Sequence, residues 1–455
     1  MTLLSGAIKR TLLLAVLAVF FYGTVPAQDS AGAAIDDYLK SLASEGRFMG
    51  SVMVTRDGKP VISKGYGMAN IELDVPNSPK TRFRLGSVTK QFTAASILLL
   101  QERGKLSVQD PVCKFFDNCP EAWKDVTIHH LLSHTGGIPN FTSFPDYQKT
   151  MMLPVTMTSL IARFRDKPLD FKPGEKWSYS NSGYVMLGYI IEKVAGESYE
   201  SFLKKNIFGP LNMADSGYDH HDSVLKNRAT GYSENCKGAL NSAYLDMTIP
   251  HAAGALYSTT EDLARWNDAI HSDKLLSARS REMMMTVVKN NYAYGIGVDT
   301  VFNRRMISHG GGINGFSTFL ARFPEEKINI IVLRNADFGN PAPGKMTRDI
   351  AAIIFGEKFQ NPPTRVVASI DPRVLDAYVG KYEVMPNFIL SVRKDGECLM
   401  TQATGQPEIE VFPESETTFF LKVVDAKITF VKDEKGVVNG LILNQGGERK
   451  AKKIE

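Results

Sequence analysis

Two adjacent prolines in Asn361-Pro362-Pro363-Thr364 constrain the fold more than any other feature, because neither a helix nor a central strand runs comfortably through them. The stretch reads as a linker, and the chain changes character across it. After about Asp371, short apolar runs at Phe388 to Val392, Thr418 to Val423, Lys427 to Val431 and Val438 to Leu443 are separated by turn residues such as Lys435-Gly436. Runs of this kind predict a small all-β unit over residues 371–455, a lipocalin-like barrel or a meander. Its first-choice role is a stabilising cap, ahead of substrate gating or glycan binding.

Before the linker, helical and strand signals are mixed. Ile35, Tyr38, Leu39 and Leu42 share one helical face. Two short strands flank Arg56-Asp57-Gly58-Lys59, an Asp-Gly hairpin signal. Gln91 to Gln101 is rich in helix formers and stops near Gly104, and Leu187, Ile190, Ile191 and Val194 mark a further helix. Loops and helices fill residues 105–285. Strands return at Phe316 to Phe323 and Ile328 to Leu333, joined through Pro324-Glu325-Glu326-Lys327, and a last helix covers about Gly344 to Phe355. Helix, antiparallel strands, a helical insertion, more strands and a closing helix predict an α+β sandwich with its site between sheet and insertion. At 455 residues the chain has room for two domains.

Lys9 and Arg10 precede the apolar run Leu12 to Tyr22, and Val25-Pro26-Ala27 supplies small residues before a cut ahead of Gln28. Residues 1–27 therefore read as a secretory signal peptide and the chain as exported, to a periplasm or the medium. The run falls short of the about 20 residues of a comfortable span, which sets an uncleaved anchor behind a signal peptide. Removing it takes away two cations and no acid, so the formal charge falls from +4 to +2, too mild a balance to suggest nucleic acid. Four cysteines are too few and scattered for a disulfide framework. Cys113 and Cys119, separated by a short loop, are the pair expected to join in an oxidising compartment.

The chemistry begins at Ser87-Val88-Thr89-Lys90, where a hydroxyl and an amine lie one helical turn apart at the start of a helix. A serine there sits among unpaired backbone N–H groups, which favour the negative charge of acyl transfer. It could equally be an N-cap. Ser201 to Lys204 and Ser223 to Lys226 match the same pattern, so the company Ser87 keeps decides. Tyr179 alone among sixteen tyrosines is followed two positions later by asparagine, in Tyr179-Ser180-Asn181. His309-Gly310-Gly311-Gly312 follows downstream.

These three elements, in this order, resemble the penicillin-recognising serine hydrolases: class C β-lactamases, serine D-Ala-D-Ala peptidases, D-aminopeptidases and β-lactamase-like esterases. The approach Phe83-Arg84-Leu85-Gly86-Ser87, the segment Leu131 to Gly137 and the segment Gly254 to Leu263 extend the resemblance to roughly residues 30 to 357. Together with the signal segment and the linker it divides the chain into a signal peptide over 1–27, a hydrolase domain over 28–357, a linker over 358–370 and a β domain over 371–455. It also implies that Ser87 is the nucleophile, that Lys90 and Tyr179 handle protons, and that Asn181 binds Lys90 and the substrate amide. Either Lys90 or Tyr179 could be the base, with a cationic Lys90 lowering the phenol's pKa in the second case. The backbone N–H groups of Ser87 and Gly312 would form the oxyanion hole, with His309, Gly310 and Gly311 lining the substrate strand. Where most β-lactamases carry Lys-Thr-Gly, this chain has His309-Gly310-Gly311, so a substrate carboxylate would meet only the partial charge of a histidine at neutral pH.

Other chemistries lack their signatures. No Gly-x-Ser-x-Gly elbow accompanies the His-Gly-Gly-Gly run, His130 and His134 enclose no zincin glutamate, and no dinucleotide or phosphate loop occurs. His129, His130 and His134 read as packing or hydrogen-bonding groups near a turn. No cofactor and no metal are therefore expected. The substrate expected is a small peptide or amide, with or without D-residues and including peptidoglycan-derived ones. A carboxylesterase, a β-lactamase and a non-catalytic penicillin- or peptidoglycan-binding protein are the alternatives.

Overall fold

The computed structural model describes residues 27–358, 365, 367–406, 408–422 and 424–455. The signal segment, apart from Ala27, and most of the linker lie outside the described residues. The helix Ala27–Ser44 buries Ile35, Tyr38, Leu39 and Leu42 as its spacing predicts. Asp57 and Gly58, at φ +50° and +73°, make the left-handed turn between strands Gly50–Arg56 and Lys59–Tyr66.

These two strands form one edge of a six-stranded sheet, in the order Gly297–Val301, Arg304–Ile313, Phe316–Phe323, Ile328–Arg334, Gly50–Arg56, Lys59–Tyr66. Every neighbouring pair is antiparallel. All seven residues of Ile328–Arg334 are buried, and alternate side chains feed two cores. Ile328, Ile330 and Val332 pack with the outer helices 27–44 and 343–355, whereas Ile331 and Leu333 pack on the opposite, catalytic side. On that side the helix Thr89–Glu102 is buried from Thr89 to Leu100, with Phe92 stacked 4.0 Å from Trp266 of the helix Thr260–Ile270. A helix buried all round must lie at the centre of a core, and here it lies between sheet and insertion. The helix Asn181–Ala195 packs against it.

Beyond the linker, eight strands close into a barrel, with Gly380–Met385 pairing to both Phe388–Asp395 and the last strand Glu448–Lys453. Tyr378, Tyr382, Leu390, Phe419, Phe430 and Leu441 fill its interior, as barrels of this strand number allow. Four of its strands match the apolar runs of the sequence. The other four are not among the expected runs; Glu448–Lys453, for instance, has a single apolar residue, Ala451, which is buried, while its charged residues are mostly exposed.

Cys113 and Cys119 are joined as expected, and Cys236 is joined to Cys398, a pair the scattered spacing does not suggest. The second bridge ties the barrel to the hairpin Tyr232–Asn241 of the hydrolase unit. Around it, Lys422 pairs with Glu234 at 2.5 Å, Lys237 with Glu397 at 2.8 Å, and the Cys236 N–H donates to Glu410 Oε1 at 2.6 Å. Non-reducing peptide mapping is expected to recover Cys236 and Cys398 in one cross-linked fragment; separate alkylated thiols would contradict it. Among the described residues, no helix is long and apolar enough to cross a membrane.

Candidate active site

Ser87 lies in the short 3-10 turn Gly86–Val88 that leads into the helix Thr89–Glu102, and its side chain is partly open to the cleft. Gly86 has φ +53°, and a Cβ there would come within 2.9–3.0 Å of the backbone of Gly312. The nucleophile's turn and the strand Arg304–Ile313 thus meet backbone to backbone. A Cβ at Gly311 would stand 2.0 Å from the Leu85 carbonyl oxygen and 2.4 Å from Thr318 Oγ1, whereas one at Gly312 would meet nothing within 4 Å. Gly310 has the Phe319 ring on its flank.

Lys90 is fully buried. Its Nζ stands 3.1 Å from Ser87 Oγ, 2.9 Å from Asn181 Oδ1 and 2.9 Å from the Ala253 carbonyl oxygen. Burial without a carboxylate partner pushes its pKa well below the usual lysine value. Asn181 is the first residue of its helix rather than part of the loop that enters it. Its Nδ2 donates to Thr142 Oγ1 at 3.1 Å and its backbone N–H to Asn140 Oδ1 at 3.0 Å, which turns the amide oxygen toward Lys90.

Tyr179 sits on the approach to that helix. Burial raises its pKa, and a hydrogen bond with Ser87 offsets only part of the rise. The Lys90 ammonium position is over the Tyr179 ring, 4.7 Å from its centroid. The expectation of a phenol acidified by a cationic lysine is therefore corrected: burial drives both groups toward neutrality.

His309 is 8 % exposed. Its Nδ1 lies 2.6 Å from the Gly310 carbonyl oxygen, to which it can only donate, and in the neutral ring Nε2 then accepts from the Tyr292 hydroxyl at 3.0 Å. Burial, with Lys90 as a second cause, pulls its pKa down to about 4. Burial and Lys90 thus disfavour the partial positive charge expected of it at neutral pH, and the two bonds fit the neutral tautomer.

The competing Ser-x-x-Lys matches are surface features: Ser201 donates its backbone N–H to the helix cap Ser198, and Ser223 bonds its neighbour Asp222. His129 meets the Tyr294 hydroxyl at 2.6 Å, and His130 Nδ1 accepts from the Thr127 N–H at 3.2 Å. Among the described residues one trio of metal-type ligands converges, Cys236, Cys398 and Glu410, and its sulfurs are bonded to each other. Sequence reasoning gave no site role to Asn140, Thr142 or His134. The resemblance had drawn attention to Leu131–Gly137, but nothing in its pattern says which side chain turns toward the second motif.

A family model described as Beta-lactamase matches residues 34–354, and one described as a domain of unknown function, DUF3471, matches residues 364–453. The chain is 28% identical over 440 residues to penicillin-binding protein 4* of Bacillus subtilis (strain 168), covering 90% of this chain and 96% of that protein. Among solved structures it is similar to the octameric penicillin-binding protein homologue from Pyrococcus abyssi, with 29% identity, a TM-score of 0.66, and coverage of 92% of this chain and 99% of that one. It is also similar to a D-stereospecific amidohydrolase from Streptomyces sp., with 26% identity, a TM-score of 0.61, and coverage of 72% and 99%. With the sheet, the insertion and the approach of Ser87 to Gly312 in place, the match over residues 34–354 settles the lineage: this chain belongs to the Beta-lactamase family, with a barrel appended.

Proposed function

We propose that this chain is an exported hydrolase of small amides and peptides, D-residue substrates among them, working through an acyl ester on Ser87. The observation that carries the mechanism is the bonding around Lys90. Asn181 Oδ1 and the Ala253 carbonyl can only accept hydrogen bonds. A neutral amine has two N–H bonds and one lone pair, so giving both hydrogens to those acceptors leaves the lone pair for Ser87 Oγ–H. Lys90 takes the Ser87 proton as Oγ bonds to the substrate carbonyl carbon, and the carbonyl pair moves onto oxygen, facing the N–H groups of Ser87 and Gly312. When the adduct collapses, the carbonyl re-forms and the C–N bond breaks. The departing nitrogen takes the Tyr179 phenolic proton, and Tyr179 recovers one from the Lys90 ammonium. Water then loses a proton to the same pair, attacks the ester and frees Ser87.

The neutral His309 supports a substrate with no carboxylate to be held beside the scissile bond. That observation equally favours esters, so a carboxylesterase is the second reading, whereas efficient β-lactam hydrolysis is disfavoured. His309→Lys is expected to raise any β-lactam hydrolysis several-fold by restoring a cation; no gain would count against this account of specificity. Export rests on the signal segment and suits the two disulfides. Cleavage ahead of Gln28 would leave the helix 27–44 whole but for its first residue.

The test is intact-protein mass after exposure to a penicillin, alongside turnover of D-aminoacyl amides, p-nitrophenyl esters and peptidoglycan peptides, with Ser87→Ala as control. Ser87-dependent amide turnover is expected. Ester turnover alone would favour the second reading, and activity retained in Ser87→Ala would overturn both.

A further inference from the structure

We propose that His134 is the positioning residue of Tyr179, holding its phenol at the leaving group; this rests on the acyl-Ser87 reading above. One residue grips the segment 178–180 at three points. The His134 carbonyl accepts from the Ser178 N–H at 3.0 Å, its Nδ1 accepts from the Ser180 N–H at 3.2 Å, and its ring lies 4.3 Å, centroid to centroid, from the ring of Tyr179. The backbone at both sides of the tyrosine and the phenol ring itself are therefore located against a single residue, with the imidazole holding the Ser180 side and the ring.

The imidazole is in turn well located. His134 is 3 % exposed and follows the helix Ile128–Leu132 in a left-handed conformation, φ +58°, which histidine adopts more readily than most residues. Tyr184 and Tyr292 lie on it at 5.1 and 4.8 Å, and Tyr292 is the residue whose hydroxyl bonds His309. One stack thus joins the segment 178–180 to the third motif. Nδ1 can accept from Ser180 only while unprotonated, and burial, with Lys90 and His309 nearby, disfavours the charged ring. His134 bonds neither Ser87 nor Lys90 among the described contacts, so its action runs through Tyr179.

The consequence can be separated from a merely structural role by the leaving group. An amide nitrogen must be protonated as it departs, whereas p-nitrophenolate leaves without a proton. Loss of Tyr179 alignment should therefore damage amide turnover far more than ester turnover. The experiment compares kcat/KM for an amide and the p-nitrophenyl ester of the same acyl group in wild type, His134→Asn, His134→Gln, Tyr179→Phe and Ser87→Ala, with melting temperatures. Asparagine tolerates the left-handed backbone and carries an acceptor near the Nδ1 position; the glutamine amide reaches the Nε2 position instead. The amide-to-ester ratio is expected to stay within about fivefold of wild type in His134→Asn and to fall at least about tenfold, toward that of Tyr179→Phe, in His134→Gln. Equal ratios in the two variants, or a parallel loss on both substrates, would overturn the proposal. Activity in Ser87→Ala, or an unchanged ratio in Tyr179→Phe, would instead break the reading on which it rests.

Discussion

Replacing Lys90 with methionine is expected to lower kcat/KM by about a thousandfold, within the range of a lost general base. The variant keeps the length and the burial but has no lone pair to take the Ser87 proton. Stopped-flow acylation with an activated ester measures it directly, and a loss below tenfold would assign the base elsewhere. Wild-type kcat/KM should fall on the acid side as pH drops through the lowered pKa of Lys90, since the ammonium has no free pair. Stability follows the same group. Between that lowered value and the ordinary lysine value the unfolded chain holds a proton that the folded chain lacks, so stability rises with pH across this window. Lys90→Met should lose that part of the slope; identical slopes in urea titrations from neutral pH to about 10 would contradict it.

Much of this site was legible because its parts are short-range. Ser87 and Lys90 are three residues apart, a spacing that puts them on one side of a helical turn, and Tyr179 and Asn181 are two apart in a pattern that no other tyrosine of the chain shares. The protonation states were not legible. They depend on what closes over Lys90, namely Ala253 and the Tyr179 and Tyr184 rings, from segments far apart in sequence. The same holds for His309, whose lowered pKa depends on burial and on Lys90. Of the fold, the hairpin at Asp57-Gly58 and the strands 316–323 and 328–334 follow from local pattern. The barrel strands rich in lysine and glutamate do not, because closure of the ladder, not their own apolar content, holds them. The bridge from Cys236 to Cys398, 162 residues apart, has no local signature at all.

Gly311→Ala should damage stability and activity together. The added carbon would stand 2.0 Å from a backbone oxygen, so the strand or the Leu85 segment must move, and Thr318 Oγ1, which donates to that oxygen at 2.9 Å, must move with it. Overpacking of this kind costs about 1–3 kcal/mol of stability. Displacing the strand also carries Gly312 away from Ser87, and loss of one oxyanion donor alone costs about a hundredfold or more in kcat. Gly312→Ala is the comparison: its carbon meets nothing, so the protein should melt as the parent does. Equal melting temperatures for both variants would mean that the strand is free to give way.

The disulfide, ion pairs and hydrogen bond that join barrel to hydrolase use Glu234, Cys236 and Lys237, all on one hairpin. None of these residues belongs to the sheet, the catalytic helix or the glycine strand. With these bonds gathered on one hairpin, a change in that hairpin alters how the barrel is held without touching the residues that surround Ser87.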